Sequence, residues 1–404
     1  MKSPDIVLVV NSGSSSLKFT LYSIAQGNKR LACGIVERIG TASANMVYRR
    51  DDHPKSESIV VAEDHATALK LLTQCLTDPE LGVISSLRDV DAIGHRILHG
   101  GELFKSAIAI TPDVMKSLKA LVPLGPLHMP ANIGGVEACE LIFPGAPNVA
   151  VFDTAFHQTM PDHVSRYAIP NEYYEKYGIR KYGFHGTSHH FVTLAAAEFF
   201  GKKPEELKLI TCHLGNGSSL AAVKYGKVFD TTMGLTPLDG LVMGTRCGNL
   251  DPAVVLTLMR LGMTADEIDN LLNKKSGLLG VGGINSGDMR DIVNNAAKGV
   301  KKAQIALDMW VHRVVLFIAG YSALIGGADA IVFTGGIGEN SFQARERVVE
   351  QLGSIGCHLD REANNTRRGP CYISTPESTV AAIIMPTDEE MMIVKETCDV
   401  IAAQ

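Results

Sequence analysis

The sequence lacks features that mark several large classes of protein. Lys and Arg number 38 against 43 Asp and Glu, a net charge of −5, so no basic excess is available to coat a nucleic-acid backbone. The 39 glycines follow no G-X-Y period, which excludes a collagen. No Pro/Ser-rich or low-complexity segment is present, so any domains are expected to be joined by tight hinges.

Closely spaced cysteine pairs and long apolar runs are also missing. No two of the eight cysteines are spaced as C-x-x-C, and most lie in apolar runs, so they are expected to be reduced and buried. The apolar run Ile6–Val10 is too short for the core of a signal peptide. The uncharged apolar stretch Val314–Ala328 falls short of the ~20 residues of a membrane helix. These features predict a cytoplasmic protein that contacts neither membrane nor nucleic acid.

The common motifs of nucleotide-binding proteins and hydrolases are absent as well. There is no G-x-x-x-x-G-K-[ST], no G-x-S-x-G and no H-E-x-x-H. The G-x-G triplets that begin at Gly215, Gly280 and Gly336 lack the third glycine of a dinucleotide-binding loop. If the protein binds a nucleotide, another architecture must hold it.

Strand and helix signals alternate over the whole length of the sequence. The 404 residues fit two or three domains, and the alternation predicts an α/β fold. Apolar runs that end at polar or glycine-rich turns predict buried strands at 6–10, 148–152, 209–213 and 330–333. Capping patterns predict helix starts at Thr111-Pro112, Thr187, Asp251-Pro252, Thr264–Glu267 and Thr387–Glu390, and helix ends at Gly201 and Gly262.

One short pattern occurs twice, about half the chain apart. Gly13–Leu17 and Gly217–Leu220 each follow a predicted strand, turn through glycine and serines, and open another strand. The repetition indicates either two related halves, each with a turn that offers backbone N–H groups to phosphate, or a coincidence between common Gly-Ser turns.

Two polar clusters suit a phosphorylated ligand. Asn11–Lys18 offers hydroxyls, an amide and a lysine, which suit anionic oxygens or hydrated Mg²⁺, although an ordinary hairpin fits the same residues. Thr334–Asn340 joins an apolar strand to a helix through three glycines. Its backbone can approach a nucleotide, or it can simply pack the strand against the helix.

Four single residues add to these clusters. Arg96 and Arg246 lie in glycine-bordered segments, and a guanidinium binds carboxylate or phosphate through two parallel N–H groups. Asp153 ends an apolar strand, and His185 precedes a helix. Together with the phosphate-type turns, they indicate phosphoryl transfer, in which a protein mainly positions groups and neutralises charge.

Zinc is the alternative for the histidines. His95 and His99 are four residues apart, as are His185 and His189, which is a spacing seen in zinc sites. Neither pair has a third ligand at a recognisable spacing, and glycines crowd both pairs. Hydrogen-bonded core histidines are the simpler interpretation.

Six longer segments resemble the acetate kinase family, which includes propionate and, more distantly, butyrate kinases. They are 11–19 (NSGSSSLKF), 94–101 (GHRILHGG), 152–161 (FDTAFHQTMP), 183–189 (GFHGTSH), 213–217 (HLGNG) and 334–340 (TGGIGEN). The resemblance runs from Val7 to about Val394. It implies two ribonuclease-H-like domains around a nucleotide cleft, the fold of the superfamily of acetate and sugar kinases, actin and heat-shock ATPases. The domains implied are 1–152, joined by a C-terminal helix at 387–404, and the nucleotide-binding part 153–386.

The resemblance also implies roles for individual residues. The catalytic residues would be Arg96 and Arg246 on the acid's carboxylate and the phosphoryl group, Asp153 at the reacting centre, and His185 donating to the phosphoryl oxygens. The acid would contact Arg96, Leu98, Leu127, His128, Phe184 and Pro237. ATP or ADP would contact Ser14, Ser16, Lys18, His213, Leu214, Gly215, Asn216, Gly217, Asp288, Met289, Arg290, Gly335, Gly336, Ile337, Gly338, Glu339 and Asn340. Asn11 and Glu389 would organise Mg²⁺, for which Mn²⁺ can substitute.

The activity implied is the reversible, Mg²⁺-dependent phosphorylation of acetate by ATP to acetyl phosphate and ADP, by direct in-line transfer in a homodimer. Phosphorylation of Asp153 or Glu389 on the way stays open. The sequence departs from the family pattern at four positions, where Leu235, Cys247, Asn249 and Asp388 replace the more usual Met, Ser, Asp and Asn. These departures bear on kinetics or metal preference.

Two other functions are weighed against acetate phosphorylation. One is a kinase for longer acids, and here Leu98 is informative, because relatives that favour longer acids tend to have a smaller side chain at that position. The resemblance therefore implies a preference for acetate over propionate. The other is a non-catalytic ATP-dependent clamp, as in chaperone ATPases, for which 404 residues leave no room for an appended binding domain.

Overall fold

The computed structural model describes residues 4–404, which form two compact units. The first unit extends to Ala155 and includes Asp388–Gln404, and the second is Phe156–Thr387. Both units are mixed α/β, as predicted from the sequence. The domain limits 152/153 and 386/387 stay a prediction, and residues 1–3 of the predicted first domain lie outside the described residues.

Each unit is built on one sheet. The strands of the first unit are β1 (Ile6–Ser12), β2 (Ser16–Ser23), β3 (Lys29–Glu37), β4 (Ala44–Arg50), β5 (Ser56–Val60), β6 (Ala92–Ile97), β7 (Ile108–Ala109) and β8 (Asn148–Phe152). Those of the second unit are β9 (Lys208–Leu214), β10 (Ser218–Lys224), β11 (Lys227–Thr231), β12 (Ala330–Thr334), β13 (Cys371–Tyr372) and β14 (Ala381–Ile384). The four predicted strands are confirmed as β1, β8, β9 and β12.

The helices lie between these strands and after the last of them. They are α1 (His65–Leu76), α2 (Pro112–Ala120), α3 (Met129–Ile142), α4 (Asp162–Ser165), α5 (Asn171–Tyr177), α6 (Gly186–Phe199), α7 (Pro252–Arg260), α8 (Ala265–Lys274), α9 (Gly277–Gly282), α10 (Met289–Ala297), α11 (Lys301–Leu324), α12 (Gly335–Asn340), α13 (Phe342–Val349), α14 (Arg361–Thr366) and α15 (Glu389–Ala402). The last helix, α15, belongs to the first unit.

The two sheets share a central arrangement of five strands. The first sheet runs β5-β4-β3-β2-β1-β6-β8-β7, and the second runs β11-β10-β9-β12-β14-β13, so β3-β2-β1-β6-β8 corresponds to β11-β10-β9-β12-β14. Strands β1 and β9 are antiparallel to β2 and β10 and parallel to β6 and β12, which are in turn parallel to β8 and β14. The repeated Gly-Ser turns occupy matching places in this arrangement, since they lie between β1 and β2 and between β9 and β10. The topology therefore favours two related halves over coincidence.

Several predicted helix caps are confirmed and two are wrong. The side chains of Thr111, Asp251 and Thr264 cap α2, α7 and α8 as predicted. Helix α15 is capped by Asp388, whose Oδ1 accepts a hydrogen bond from the Met391 N–H at 2.9 Å. Thr387 does not cap it, because its hydroxyl pairs with that of Ser188 at 2.8 Å.

The second wrong cap is at α6. This helix begins at Gly186, directly after His185, which has φ 58° and ψ 25°. Thr187 therefore lies inside the first turn of the helix instead of capping it. His185 is one of the few non-glycine residues in the left-handed region, a conformation that costs free energy and is concentrated at functional sites.

Helix α11 is the one helix of residues 4–404 that is long and apolar enough to cross a membrane. One of its faces packs into the core of the second unit, with Trp310, Val314 and Ile318 buried. A buried face of this kind is what the core helix of a globular unit shows, so the helix gives no support for a membrane segment.

The prediction that most cysteines are buried is wrong. Cys139, Cys212 and Cys357 are buried, and the other five are only partly covered. All eight are free thiols, as expected. Apolar neighbours in the sequence do not guarantee burial, because alternate residues of a strand and successive residues of a helix face different ways.

Candidate active site

Polar side chains meet at one edge of the first sheet. Strands β1, β6 and β8 are parallel, with Val10 beside His95 and Ile97 beside Phe152. Their carboxyl ends therefore lie side by side, and Asn11, Arg96 and Asp153 come at these ends. Ligands of α/β proteins commonly bind at this edge of a sheet.

Arg96 is held between two carboxylates of the first unit. Its Nε lies 3.0 and 3.1 Å from the two carboxylate oxygens of Asp153, and its Nη2 lies 2.8 Å from Oδ2. Glu389, in the first turn of α15, is 3.5 Å from the same Nη2. The negative charge of Asp153 is the largest influence on the pKa of Arg96, and it raises this pKa. Burial acts in the opposite direction, and the charge of Glu389 adds to the increase. Asp153 is only 2% exposed, so this two-pronged ion pair fixes the direction of the guanidinium.

The neighbouring carboxylate, Glu390, has different partners. It accepts hydrogen bonds from Thr20 Oγ1 at 2.8 Å and Tyr22 OH at 3.3 Å, and it pairs with Lys18 at 2.5 Å. Lys18, which is predicted to contact ATP, lies in this ion pair in the structure. Ser14 is exposed and Ser16 is partly covered, at the turn between β1 and β2.

The predicted acid-contacting residues of the first unit surround the turn after β6. Leu98 is partly buried, and its Cδ2 lies 2.9 Å from a Cβ built on Gly125. Leu127 and His128 are exposed, immediately before α3. Asn132, which no sequence pattern indicated, is buried and joins the turn after β6 to the end of β1. Its Oδ1 accepts from the Leu98 N–H at 2.9 Å, and its Nδ2 donates to Ser12 O at 2.7 Å.

In the second unit, Arg246 and His185 converge on Gly217. A Cβ added to Gly217 would lie 3.4 Å from Arg246 Nη1 and 3.6 Å from His185 Nε2. Arg246 Nη1 also donates to Pro237 O at 3.4 Å. Within residues 4–404 Arg246 forms no ion pair, and burial lowers its pKa. A partly buried cation with no acidic partner favours the binding of an anion.

The ring of His185 lies against that of His213, at an angle of 33° between the two ring planes. Their ring centres are 4.4 Å apart. Nδ1 of His185 is 2.9 Å from Ser219 Oγ, and Nδ1 of His213 is 2.7 Å from Ser188 Oγ. The preceding residue, Phe184, which was predicted to contact the acid, is buried, and its carbonyl oxygen accepts a hydrogen bond from His157 Nε2 at 2.8 Å.

A cavity of about 720 Å³ in the second unit gathers many of the predicted nucleotide contacts. The predicted residues that line it are Gly215, Asn216, Asp288, Met289, Arg290, Gly336, Ile337 and Asn340. The lining residues that the sequence reasoning missed are Thr245, Gly287, Val293, Asn294, Ser341 and Gln343. This volume lies within the range of small-molecule sites.

In the sequence, the other predicted nucleotide-contacting residues of the second unit lie close to the residues that line this cavity. Leu214, Gly335 and Gly338 are buried, and His213 and Gly217 lie on the β9–β10 hairpin. Glu339 turns back onto its own helix, where Oε1 accepts from the Gly335 N–H at 2.9 Å. The buried Arg345 holds the other end of α12, since its Nη1 donates to the carbonyl oxygens of Gly338 and Glu339, each at 2.9 Å.

Asp288 and Arg290 stand at the edge of the cavity, bound to each other. Arg290 Nε and Nη2 donate to the Asp288 carboxylate at 3.0 and 2.7 Å. The hydrogen bond from Arg290 is the largest cause that lowers the pKa of Asp288. The Arg290 side chain is 84% exposed, so it is accessible to a ligand entering the cavity.

The histidine pairs have protein partners. Nε2 of His95 lies 2.7 Å from Asn148 Oδ1, and Nδ1 of His99 accepts from the Gly101 N–H at 2.9 Å. Burial lowers the pKa of each to about 4. His189 contacts Thr211 and Ser219. In the described part of the chain, no three His, Cys, Asp or Glu side chains are grouped as metal ligands.

Comparison with known proteins gives a consistent result. The family model described as the acetokinase family matches residues 6–395. The acetate kinase of Thermotoga maritima is 50% identical over 400 residues, which cover 98% of each chain. The acetate kinase structure from Porphyromonas gingivalis has 43% identity and a TM-score of 0.94, covering 98% of this chain and 100% of that one. A propionate kinase from Francisella tularensis has 40% identity and a TM-score of 0.91, with the same coverage. These matches confirm the predicted superfamily fold.

Proposed function

This chain belongs to the acetokinase family, and we propose that it transfers the γ-phosphoryl group of ATP in line to the carboxylate of acetate, with Mg²⁺. The products are acetyl phosphate and ADP, and the reaction is reversible. As a member of this family the protein is an enzyme, a kinase whose acceptor is a carboxyl group.

One observation carries the chemical part of the proposal. Arg246 has no acidic partner in the described chain, and together with His185 it borders Gly217, beside the hairpin that leads to the cavity. A carboxylate and a γ-phosphate repel each other, so the reaction requires positive charge and hydrogen-bond donors around the transferring group. Arg246 supplies a cation that no protein carboxylate neutralises.

The first unit supplies the groups for the acid. Asp153 fixes Arg96 through Nε and Nη2, and within the described residues Nη1 of Arg96 makes no hydrogen bond. This N–H group is suited to the carboxylate of the substrate. Asp153 acts here as the residue that orients Arg96, because both of its oxygens lie within hydrogen-bond distance of the guanidinium.

The residues assigned to the metal fit Mg²⁺. Mg²⁺ prefers oxygen ligands and is usually bound through one or two carboxylates, water and substrate phosphates. Glu389 offers a carboxylate that is 25% exposed, and Asn11, near the end of β1, offers a side-chain carbonyl oxygen. When bound, the ion would neutralise charge on the phosphates of ATP. Asn11 and Glu389 would hold it, directly or through water.

The test is acid-dependent formation of ADP. The protein is incubated with ATP and Mg²⁺, and with formate, acetate, propionate or butyrate, and ADP and acyl phosphate are both measured. The proposal requires acetate-dependent production of equal amounts of the two. A slow release of ADP that no acid changes would instead indicate an ATP-dependent clamp, and the fastest rate with butyrate would indicate a kinase for longer acids.

Leu98→Ala is expected to shift the substrate preference from acetate toward propionate. Leu98 is partly buried over the turn at Gly125, and the proposal places its side chain at the methyl group of acetate. Overpacking propionate's extra methylene would cost roughly 1–3 kcal/mol, which exceeds the ~0.8 kcal/mol gained by burying it. Wild type should prefer acetate by about 10-fold in kcat/KM, and the variant by less.

Leu103→Ala is the control, because Leu103 is an exposed leucine near Leu98 in the sequence. It should leave the ratio of kcat/KM for the two acids unchanged. If Leu98→Ala also leaves the ratio unchanged, or if wild type already prefers propionate, Leu98 does not set the depth of the pocket.

We also propose a homodimer and a cytoplasmic location. Helix α7 has no buried residue, yet Val254, Leu256 and Met259 are apolar and exposed on it. On α11 the side opposite the core exposes Met309 and Leu316. A second copy of the chain would cover such apolar helix faces. Light scattering should give the mass of two chains, and the mass of one chain would contradict the proposal.

A further inference from the structure

Two segments of the second unit are joined by hydrogen bonds between histidines and serines. The start of α6 carries His185 and Ser188, and the β9–β10 hairpin carries His213 and Ser219. Each histidine binds the serine of the other segment through Nδ1, at 2.9 Å for His185 with Ser219 and 2.7 Å for His213 with Ser188. In both rings Nδ1 is therefore the nitrogen that a serine hydroxyl holds.

Ser219 has a second imidazole partner behind the first. Its Oγ lies 2.8 Å from Nε2 of His189, and Nδ1 of His189 lies 2.7 Å from Thr211 Oγ1. His189, Ser219 and Thr211 are all fully buried. Burial, and then the neighbouring His157 and His213, hold the pKa of His189 well below its usual value, so His189 is neutral and carries one N–H.

The number of available hydrogens determines the donor in each hydrogen bond from Thr211 through His189 and Ser219 to His185. A hydroxyl has one hydrogen, and Thr211 has two acceptors within reach: Nδ1 of His189 at 2.7 Å and the Ala221 carbonyl oxygen at 3.4 Å. The Ala221 oxygen, at 3.4 Å, is beyond the usual range, about 2.5–3.0 Å, of an O–H···O hydrogen bond, so a Thr211 hydroxyl that did not donate to His189 would leave its buried hydrogen unsatisfied. Thr211 therefore donates to Nδ1 of His189. Nδ1 of His189 then accepts, its Nε2–H donates to Ser219, and the hydrogen of Ser219 is left for Nδ1 of His185.

We propose that Ser219, backed by His189, is a positioning residue that keeps neutral His185 in the Nε2–H form. The Nε2–Cε1 edge of His185 faces Gly217, with both atoms 3.6 Å from the position of an added Cβ, and Arg246 Nη1 lies 3.4 Å from the same position. In this form His185 donates a hydrogen bond to a phosphoryl oxygen without first becoming an imidazolium. The left-handed backbone of His185 and the hydrogen bond from His157 to the Phe184 carbonyl hold the ring in place for this contact. This inference rests on the proposed function only for the identity of the acceptor.

The first test is the nitrogen NMR spectrum of the protein labelled with ¹⁵N-histidine, without substrate. His185→Gln identifies the His185 signals. Neutral His185 should show a protonated Nε2 and an unprotonated Nδ1 in wild type, and a mixture of both forms in Ser219→Ala. A wild-type spectrum with the proton on Nδ1 overturns the proposal whether or not Ser219→Ala folds.

The second test is kinetic. Ser219→Ala should lower kcat by roughly 3- to 10-fold, the size of one neutral hydrogen bond, with KM for ATP and acetate within about twofold of wild type. The matched control is Thr193→Val, which removes a buried hydroxyl of α6. This hydroxyl donates to the backbone oxygen of His189 at 2.7 Å and not to the ring of His185 or His213. It should leave kcat and the His185 signals unchanged.

An equal fall of kcat in both variants, or an unchanged His185 signal in Ser219→Ala, would show that Ser219 serves only the packing of the core. Failure of the proposed function is distinguishable. It would appear as ADP formation that no acid changes, whereas the NMR result requires no turnover.

Discussion

Arg246→Ala is expected to lower kcat by about 10²–10³-fold while KM for ATP changes little. Arg246 stands beside Gly217 without an acidic partner in the described residues, so its charge is available to the transferring phosphoryl group. Loss of one such stabilising donor typically costs this much in rate. The nucleotide contacts along the separate cavity remain, so binding of ATP should persist. Steady-state kinetics with ATP and acetate would measure both constants.

Two further variants make this prediction sharper. Arg246→Lys keeps the positive charge but loses the two parallel N–H groups of the guanidinium. Its kcat should lie between those of Arg246→Ala and wild type. Arg290→Ala removes another arginine of the second unit, one that lines the cavity and is largely exposed. It should raise KM for ATP and leave kcat almost unchanged. If Arg246→Ala retains more than about half of the wild-type kcat, Arg246 has no role in the transition state.

The sequence predicted those parts of the fold and site that local patterns determine. Apolar runs ending at polar turns gave β1, β8, β9 and β12, and the polar residues at their ends gave Asn11, Asp153, His213 and Thr334. Parallel pairing then brings the ends of neighbouring strands together, as it does for Asn11 beside Arg96 at the ends of β1 and β6. Local hydrophobic periodicity and turn chemistry are sufficient for this level of structure.

Contacts between segments far apart in the sequence were not predictable in this way. Asn132 lies inside α3 like any polar helix residue, and only the fold shows that its amide joins Ser12 to Leu98. Likewise, Gly244 belongs to the glycine-bordered segment around Arg246, and only the fold shows that a Cβ there would clash with Asn216 Oδ1. Such residues leave no periodic signal, because the partner that requires them comes from another element.

Capping predictions failed where two local rules competed. Thr387 and Asp388 both precede α15, and either side chain can cap a helix. The structure resolves the competition through Ser188, nearly 200 residues away, which binds the Thr387 hydroxyl and leaves Asp388 to accept from Met391. The consequence reaches the site, because this cap defines the first turn of α15, in which Glu389 faces Arg96 and Glu390 faces Lys18.

Glu389→Gln is expected to raise the Mg²⁺ concentration needed for half-maximal activity by at least about 10-fold. The proposal gives Glu389 to the metal, and glutamine keeps the shape of the side chain while removing the charge that attracts a hard cation. The variant should melt close to wild type, since Arg96 keeps its shorter ion pair with Asp153, at 2.8 Å, when the charge of Glu389 is removed. Activity titrated with Mg²⁺ at fixed ATP, together with thermal unfolding, gives both quantities.

Glu390→Gln is the control that distinguishes metal binding by Glu389 from its interaction with the helix dipole. The dipole favours a carboxylate in the first turn by about 0.3–1 kcal/mol. Glu389 and Glu390 share that turn, so either substitution loses this contribution. Glu390, however, binds Lys18, Thr20 and Tyr22, so its loss should lower the melting temperature and leave the Mg²⁺ dependence unchanged. If the two variants show the same small loss of stability and the same Mg²⁺ titration as wild type, the dipole accounts for Glu389 and the metal ligand must be sought among other residues.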